Sequence, residues 1–406
     1  MTSTVANSSL RRTEAKWKPP VNPTAGTRPR SRKCTPGGAL RACVGAACLF
    51  RPAVSFPMQS LKVLFALTAA SVLVACGGGG GDAPTPAPTP APTPTPAPSP
   101  GVGSNGTLQT TVPAAVYADN RHLNAFNQLN AVRLGAGAGL LAQSSQLDTS
   151  AQDHADYLTT NGFKTTSSPH DESSNYPGFT GATAFARMTN AGYSWGYATE
   201  VIGDIGSSSS TSDCVGDLLD TVYHAVSMLS RATDAGFGYG TGSAAGMCTI
   251  DMASPQNGGD AKQIPPSGAI VAYPFNGSTV AHGTFHVSNE SPRVDPALLP
   301  GDTAGTPVIL GFRNQDVVAG GKVTITQLSL ATSSGAAVPA VIVGGANVSG
   351  TNVNADASLG IDFPDFAALV PTSPLPVGSY TVTLRASISG GRALALSSWT
   401  FNVAAP

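Results

Sequence analysis

The chain has 406 residues, with 22 Lys and Arg against 23 Asp and Glu, and its length allows two or three domains of about 150 residues each. The basic residues are unevenly placed, because residues 1–57 hold ten of them and a single acid, Glu14. Without this stretch and Lys62, 11 basic and 22 acidic residues remain, a net charge of about −11. A chain this acidic is poorly suited to holding phosphate backbones, so nucleic acid is excluded as an expected partner.

An export signal is predicted over residues 58–75. Lys62 precedes an apolar run at 63–74, which is too short for an ordinary transmembrane helix, and a small residue, Ala75, stands before Cys76. Residues 73–76 resemble the bacterial lipobox, whose cysteine is acylated and becomes the new N-terminus. The resemblance implies that Cys76 anchors an exported chain to a membrane through lipid. The alternative is a buried helix that carries a cysteine by chance.

The segments on either side of this signal carry no chemistry of their own. A signal peptide so far inside a chain is unusual, so we expect translation to start at Met58 and residues 1–57 to be a doubtful leader. Residues 76–106 are rich in glycine and then alternate proline with Ala, Thr or Ser, a pattern typical of an extended polyproline linker. Gly77 and Gly78 replace the aspartate that, in the lipoprotein family, favours inner-membrane retention, which implies the outer membrane or the cell surface.

The first folded region, residues 107–256, mixes helix and strand patterns. Apolar residues at three-residue spacing before Gly135 predict a helix with a glycine stop, and a second helix is expected from about Ser144 to Thr160. A longer apolar stripe predicts one further helix over residues 215–229. Two strands are then predicted, at residues 236–240 and 247–252.

The second folded region, residues 264–406, changes to period-two alternation with Gly, Pro and Asn turns. About six to eight short strands predict a β-sandwich of immunoglobulin type. Residues 375–380, which end in Tyr380, are similar to a tyrosine corner. The fold class expected for the whole chain is therefore α+β.

Two cysteines remain once the leader and the anchor are set aside, Cys214 and Cys248. In an oxidising compartment a lone pair is most simply a disulfide. A structural zinc site would need four ligands at characteristic spacing, and the sequence has no C-x-x-C.

The polar residues of the first region follow a recognisable order. Asn130 and Arg133 lie on the predicted first helix, and Gly137 follows its predicted end. Further along come a histidine in a polar loop, the tripeptide Ala-Gly-Tyr, a glutamate in a strand and a histidine on a helix. This order resembles the CAP family of cysteine-rich secretory, antigen 5 and pathogenesis-related proteins, especially its bacterial branch. The resemblance covers about 150 residues and implies an α-β-α sandwich.

The resemblance also implies the residues of a cleft. His170 matches the first cleft histidine, Glu200 the glutamate of the family's "GEN" strand, and His224 the histidine of the following helix. Glu172 is the nearest candidate for a second cleft glutamate. The sequence departs from the family where valine follows Glu200 and alanine follows His224.

Three kinds of chemistry are open to His170, Glu200 and His224. Two imidazoles and a carboxylate could ligate a divalent metal such as zinc with a position left for water. They could instead act as an acid/base pair, since histidine titrates near neutral pH. They could also bond to one another and pin the loops. His154 lies on the apolar face of the second helix and is expected to be a satisfied core histidine.

Two functions therefore compete. The first is a non-catalytic surface module that binds an envelope component, a small apolar molecule or another protein, with the β region as a spacer or second binding surface. The second is a metal-dependent hydrolase of peptides or envelope polymers that uses His170, Glu200 and His224. Fold resemblance favours neither activity, because function depends on the site.

Overall fold

The computed structural model describes residues 107–162, 168–204, 213–240, 246–256, 263–312, 322–388, 392–394 and 396–405. The predicted leader, signal peptide, Cys76 anchor and linker lie outside these residues. None of the helices described is both long enough and apolar enough to span a membrane.

The first region folds as helices around one small sheet. Its elements are α1 (Asn120–Ala136), β1 (Ala142–Gln143), α2 (Ser145–Asn161), α3 (Ala184–Asn190), β2 (Trp195–Asp204), α4 (Cys214–Leu219), α5 (Tyr223–Met228), β3 (Asp234–Tyr239) and β4 (Met247–Pro255). The sheet order is β1-β3-β4-β2, with β1 parallel to β3 and the other pairs antiparallel. The predicted second helix and both predicted strands are confirmed.

Local capping explains where α2 begins and ends. The Ser144 side chain accepts a hydrogen bond from the Leu147 amide, and the chain leaves the helix at Gly162 with a positive φ. The predicted stop at Gly135 is wrong, because α1 continues to Ala136 and ends at Gly137. At Gly135 a Cβ atom would meet the Phe275 ring at 2.6 Å, so the glycine makes room for a side chain of the second region.

Helix α2 lies unusually close to the sheet. A Cβ atom at Gly236 would meet the backbone of Leu147 at 2.0 Å, and one at Gly238 would meet the backbone of Ala151 at 2.2 Å. Glycine at these two positions of β3 therefore permits the approach. This packing holds the inner face of α2, including His154, against the strands.

The single helix predicted over residues 215–229 is wrong, because the chain forms two short helices, α4 and α5, instead. The Thr221 amide and hydroxyl both donate to the Leu218 carbonyl, at 3.3 and 2.8 Å, and close the first of them. The buried Asp220 accepts hydrogen bonds from the Thr306 hydroxyl at 3.1 Å and the His282 imidazole at 3.1 Å, both in the second region. These long-range contacts stabilise a turn at the point where a continuous helix was predicted.

The described part of the second region consists of β-strands, one short α-helix and a 3-10 turn at Val287–Asn289. Its elements are β5 (Ile270–Tyr273), β6 (Thr279–Val280), β7 (Phe285–His286), β8 (Thr303–Ala304), β9 (Val308–Phe312), β10 (Val323–Thr332), β11 (Ala337–Val338), β12 (Ala340–Gly344), β13 (Val348–Gly350), β14 (Val353–Ala355), α6 (Ala357–Asp362), β15 (Phe366–Pro371), β16 (Gly378–Ile388), β17 (Arg392–Ala393) and β18 (Ser398–Val403). With the first region, these strands make the fold α+β, as predicted.

Two main sheets form this region. One has the order β11-β10-β16-β18-β6, with β13 and β17 paired at its sides, and the other has the order β14-β12-β15-β9-β5. Strands β7 and β8 form a separate pair. The alternating burial of β18, in which Trp399, Phe401 and Val403 point inward, is the pattern expected of a strand with one face in the core.

A disulfide joins Cys214, the first residue of α4, to Cys248 in β4, 34 residues further along the chain. The pairing expected from the cysteine count is confirmed. It ties the helix to the strand that runs beside Glu200.

We predict that replacing both cysteines, with Cys214→Ser and Cys248→Ser, lowers the free energy of unfolding by about 3 to 4 kcal/mol. The cross-link restricts the unfolded chain, and that restriction is lost. Urea denaturation of the oxidised wild type and the double variant measures the difference. Peptide mapping without reductant that finds free thiols at both positions would contradict the pairing.

Candidate functional site

A buried carboxylate, Glu200 in β2, is the centre of a charged network. The His170 Nδ1 atom lies 2.8 Å from one carboxylate oxygen of Glu200, and an Arg187 guanidinium nitrogen donates to the other at 2.6 Å. Both Glu200 and Arg187 are fully buried, whereas about a third of the His170 side chain is exposed. The network therefore reaches solvent through His170.

Glu172 and His154 form the second half of this network. The His154 Nδ1 atom lies 2.9 Å from Glu172, and its Nε2 atom lies 3.1 Å from the Pro169 carbonyl and 4.0 Å from Glu200. Glu172 also accepts from the Thr180 amide at 2.7 Å. His154 is thus the buried, satisfied histidine that was expected, and it also connects the two glutamates.

The charges of this network outweigh the effect of burial. Burial alone would raise the pKa of Glu200, but the neighbouring His154 and Arg187 charges and the His170 hydrogen bond hold that pKa well below its ordinary value. The pKa of Glu172 is lowered in the same way against burial, by hydrogen bonds from His154 and the Thr180 amide and by the Arg187 charge. Removing one partner of such a buried pair typically costs about 3–5 kcal/mol.

Asp251, which the sequence analysis did not single out, lies beside this network. It is the residue of β4 directly opposite Glu200 in β2, and it is fully buried. Neither of its carboxylate oxygens has a hydrogen-bond partner among the residues described. Burial, followed by the negative charge of Glu200, raises the pKa of Asp251 well above its ordinary value. The surroundings therefore favour a protonated Asp251 beside an ionised Glu200.

His224 lies apart from the network. Its Nδ1 atom is 2.9 Å from the Thr221 hydroxyl and 3.8 Å from a carboxylate oxygen of Glu290 in the second region. Burial, with a smaller effect from His170, lowers the pKa of His224 to about 4. The imidazole is therefore neutral at physiological pH.

A cavity of about 580 Å³ brings His170 and His224 to one surface. Its lining also includes Asp217 and Asp220 of the first region. The second region contributes further side chains, among them His282, Phe285 and His286. Glu172 and Glu200 stay behind this surface. The structure thus separates the predicted site residues into a buried pair and two histidines that line the cavity.

The zinc prediction meets an electrostatic obstacle at Glu200. Both carboxylate oxygens of Glu200 already have a partner, one in His170 and the other in Arg187. The guanidinium of Arg187, 2.6 Å from the carboxylate, would repel a divalent cation bound there. Within the described ranges, no three His, Cys, Asp or Glu side chains are arranged so that they could hold a metal ion. The contacts support a hydrogen-bonded network, and metal binding by His170, Glu200 and His224 stays a prediction.

Arg187 is the site residue that sequence reasoning left without a role. It is on α3, and its guanidinium also donates to the His170 carbonyl at 3.0 Å, so it holds the loop that carries the histidine. A lone arginine in a short amphipathic helix gives no sequence signal of full burial. Asp251 gives only a weak signal, an acid between the apolar residues Ile250 and Met252 of a predicted strand.

Residues 126–252 match the CAP family, described as the cysteine-rich secretory protein family. This part of the chain is therefore a CAP domain, and the family expected from the order of its motifs is confirmed. A CAP domain indicates an extracellular interaction module in general terms.

Other comparisons add little. No curated protein matches the chain. Among solved structures, the chain is similar to CopC from Methylosinus trichosporium OB3b, with 22% identity over 32% of this chain and 87% of that one, at a TM-score of 0.19. It is also similar to PcoC, a copper resistance protein from Escherichia coli, with 20% identity over 33% of this chain and 95% of that one, at a TM-score of 0.19. A likeness at this TM-score supports no conclusion about the present chain.

We predict that Asp251→Asn flattens the pH dependence of stability. Because the folded-state pKa of Asp251 is raised, its protonated form contributes stability that is full below the unfolded pKa of about 4 and declines as the pH rises. The amide of the Asn variant cannot ionise, so its stability should not decline in this way. Between about pH 5 and pH 8 its free energy of unfolding should therefore rise, relative to that of the wild type, by on the order of 1 kcal/mol or more.

Urea denaturation across this pH range tests the expectation, with Asp295→Asn as the control because Asp295 is an exposed aspartate of the second region. Parallel curves for wild type and Asp251→Asn would show that Asp251 is ionised in the folded protein. Glu200 acts in the opposite sense, since its lowered pKa contributes stability that is lost only as the pH falls.

Proposed function

We propose that this chain is an extracytoplasmic interaction module whose CAP domain binds a partner in the cavity lined by His170 and His224. The observation that carries the proposal is the division of the site. The strongest charges, on Glu200 and Arg187, bond to each other in the interior, whereas the cavity surface presents imidazoles, the carboxyl groups of Asp217 and Asp220, and apolar groups. Such a surface is suited to recognition.

The size and lining of the cavity fit a compact ligand or a projecting group of a larger one. Its volume of about 580 Å³ falls within the usual range of ligand pockets, about 300–1,000 Å³. Ile202, Leu218 and Phe285 supply apolar surface among the polar side chains. An envelope component, a small apolar molecule and a segment of a protein remain the candidate partners.

We expect binding at this cavity to change the surroundings of both histidines. The purified protein would be titrated with dodecanoate, as a probe with an apolar chain, and with a soluble muropeptide, as an envelope probe, and followed by calorimetry and by imidazole NMR. Binding of either probe should shift the His170 and His224 signals and weaken at least about tenfold in His170→Ala/His224→Ala. Binding that leaves both imidazoles unchanged, or no binding of either probe, counts against the proposal.

A second candidate, a metal-dependent hydrolase, draws support from one contact. With its Nδ1 atom bonded to Glu200 at 2.8 Å, His170 could present Nε2 to the cavity as a general base. Zinc uptake by the purified protein that disappears in the same double histidine variant would favour this candidate over the binding module.

We further propose that the module is held at the membrane, in the outer membrane where the host has two, by lipid on Cys76. The support is the lipobox-like sequence followed by a glycine-rich and proline-rich linker. An immunoglobulin-like assignment for the second region is also a proposal. It is supported by the Tyr380 hydroxyl, which donates to the Pro376 carbonyl at 2.6 Å as in a tyrosine corner.

The anchor predicts that Cys76→Ser moves the protein from the membrane fraction to the soluble fraction and removes the acyl mass from its N-terminal peptide. Cys48→Ser is the matched control, because Cys48 lies upstream of the expected start at Met58 and should change nothing. A Cys76→Ser protein that remains in the membrane fraction, or peptides recovered from residues 1–57, would overturn the corresponding part of the prediction.

A further inference from the structure

We propose that Glu290, from the second region, is the positioning residue for the cavity histidine His224, so that the CAP cavity is complete only when the second region is docked. This inference rests on the proposed function only in taking the cavity to be the binding site. The evidence for it is the contact between Glu290 and α5.

Helix α5 has no cap of its own. Val222 at its N-cap position makes no side-chain hydrogen bond to the helix, although the first amides of a helix lack partners within it. Glu290 supplies the missing acceptor, since its Oε1 atom accepts a hydrogen bond from the Tyr223 amide. The next residue of this helix is His224, whose Nδ1 atom lies 3.8 Å from the same oxygen. Glu290, which follows Tyr223 by 67 residues in sequence, therefore sets the start of the helix.

The position of Glu290 is specific. Its side chain is fully buried, and burial raises the pKa of Glu290 to about 8 against the lowering effect of the amides and the Thr221 hydroxyl around it. Its Oε1 atom accepts from the Tyr223 amide, whereas Oε2 has no hydrogen-bond partner among the described residues, so the Tyr223 contact offsets part of the cost of burying the carboxyl group. The neighbouring Tyr223 hydroxyl donates to Asp356 of the second region at 2.7 Å, so the same turn is held at a second point.

The chain on either side of Glu290 forms the facing surface of the cavity. His282, Phe285, His286, Asn289 and Ser291 all line it, beside His170 and His224. His282 is held by Asp220 at 3.1 Å. About half of the His282 side chain and more than half of the His286 side chain are exposed. One short segment therefore both caps the helix that carries His224 and presents accessible groups opposite it.

The test compares Glu290→Ala with Glu290→Gln and follows His224 in the purified protein without any ligand. In Glu290→Ala, hydrogen exchange at the Tyr223 and His224 amides should accelerate at least about tenfold, since the start of the helix loses its acceptor and opens more often. The His224 pKa should also rise from about 4 toward the ordinary range as the imidazole gains access to water. Glu290 is protonated where His224 titrates, so lost charge does not explain such a rise.

Glu290→Gln should retain wild-type exchange and titration, because its amide oxygen can still accept from the Tyr223 amide. Asp302→Asn is the control on the same segment, since Asp302 is exposed and bonds to Ser288 and His286 and not to α5. If Glu290→Ala does not fold, Glu290→Asp, which withdraws the carboxyl by one methylene, carries the same comparison.

Unchanged exchange and an unchanged His224 titration in the folded Ala or Asp variant would overturn the proposal, as would a Gln variant that behaves like the Ala variant. Because no probe is added, these outcomes are independent of whether dodecanoate or the muropeptide binds. Failure of the cavity as a binding site and failure of Glu290 as a positioning residue are therefore read from separate measurements.

Discussion

The buried ion pair between Arg187 and Glu200 is the contact on which the site depends. A fully buried carboxylate is tolerated only where opposite charge and hydrogen bonds replace water, and Arg187, His170 and His154 provide them. The same guanidinium bonds to the backbone of the loop that carries His170. One interaction thus joins a helix, a strand and a loop, and it holds His170 at the edge of the cavity.

This arrangement leaves the two cavity histidines in different states. His170 shares a hydrogen bond with an ionised carboxylate, so its Nδ1 atom carries the proton and is held toward the interior. His224 is kept neutral by burial and lies beside the hydroxyl of Thr221 and the carboxyl of Glu290. The cavity consequently presents two imidazoles of different character, one tied to the CAP sheet and the other dependent on the second region.

Much of the fold was predictable because its signals are local. Ser144 and Gly162 mark the ends of α2 through capping chemistry that involves only nearby residues. The split between α4 and α5 was not predictable, since the apolar stripe is continuous and the turn is fixed by contacts from Asp220 to distant residues. The helix stop predicted at Gly135 was wrong because this glycine also answers to a distant contact. Phe275 of the second region occupies the space beside it.

In the candidate site, too, only the residues with local sequence signals were predictable. His170 and Glu200 were identified by their motif surroundings, and the structure brings them into direct contact. The role of Glu290 depends on the packing of two regions that are far apart in sequence, and no pattern around it signals a helix cap. A second region that only held the CAP domain away from a membrane would have no need of a buried carboxyl at the start of α5. Its place there shows that the two regions build the cavity together, which supports the proposal of one binding surface.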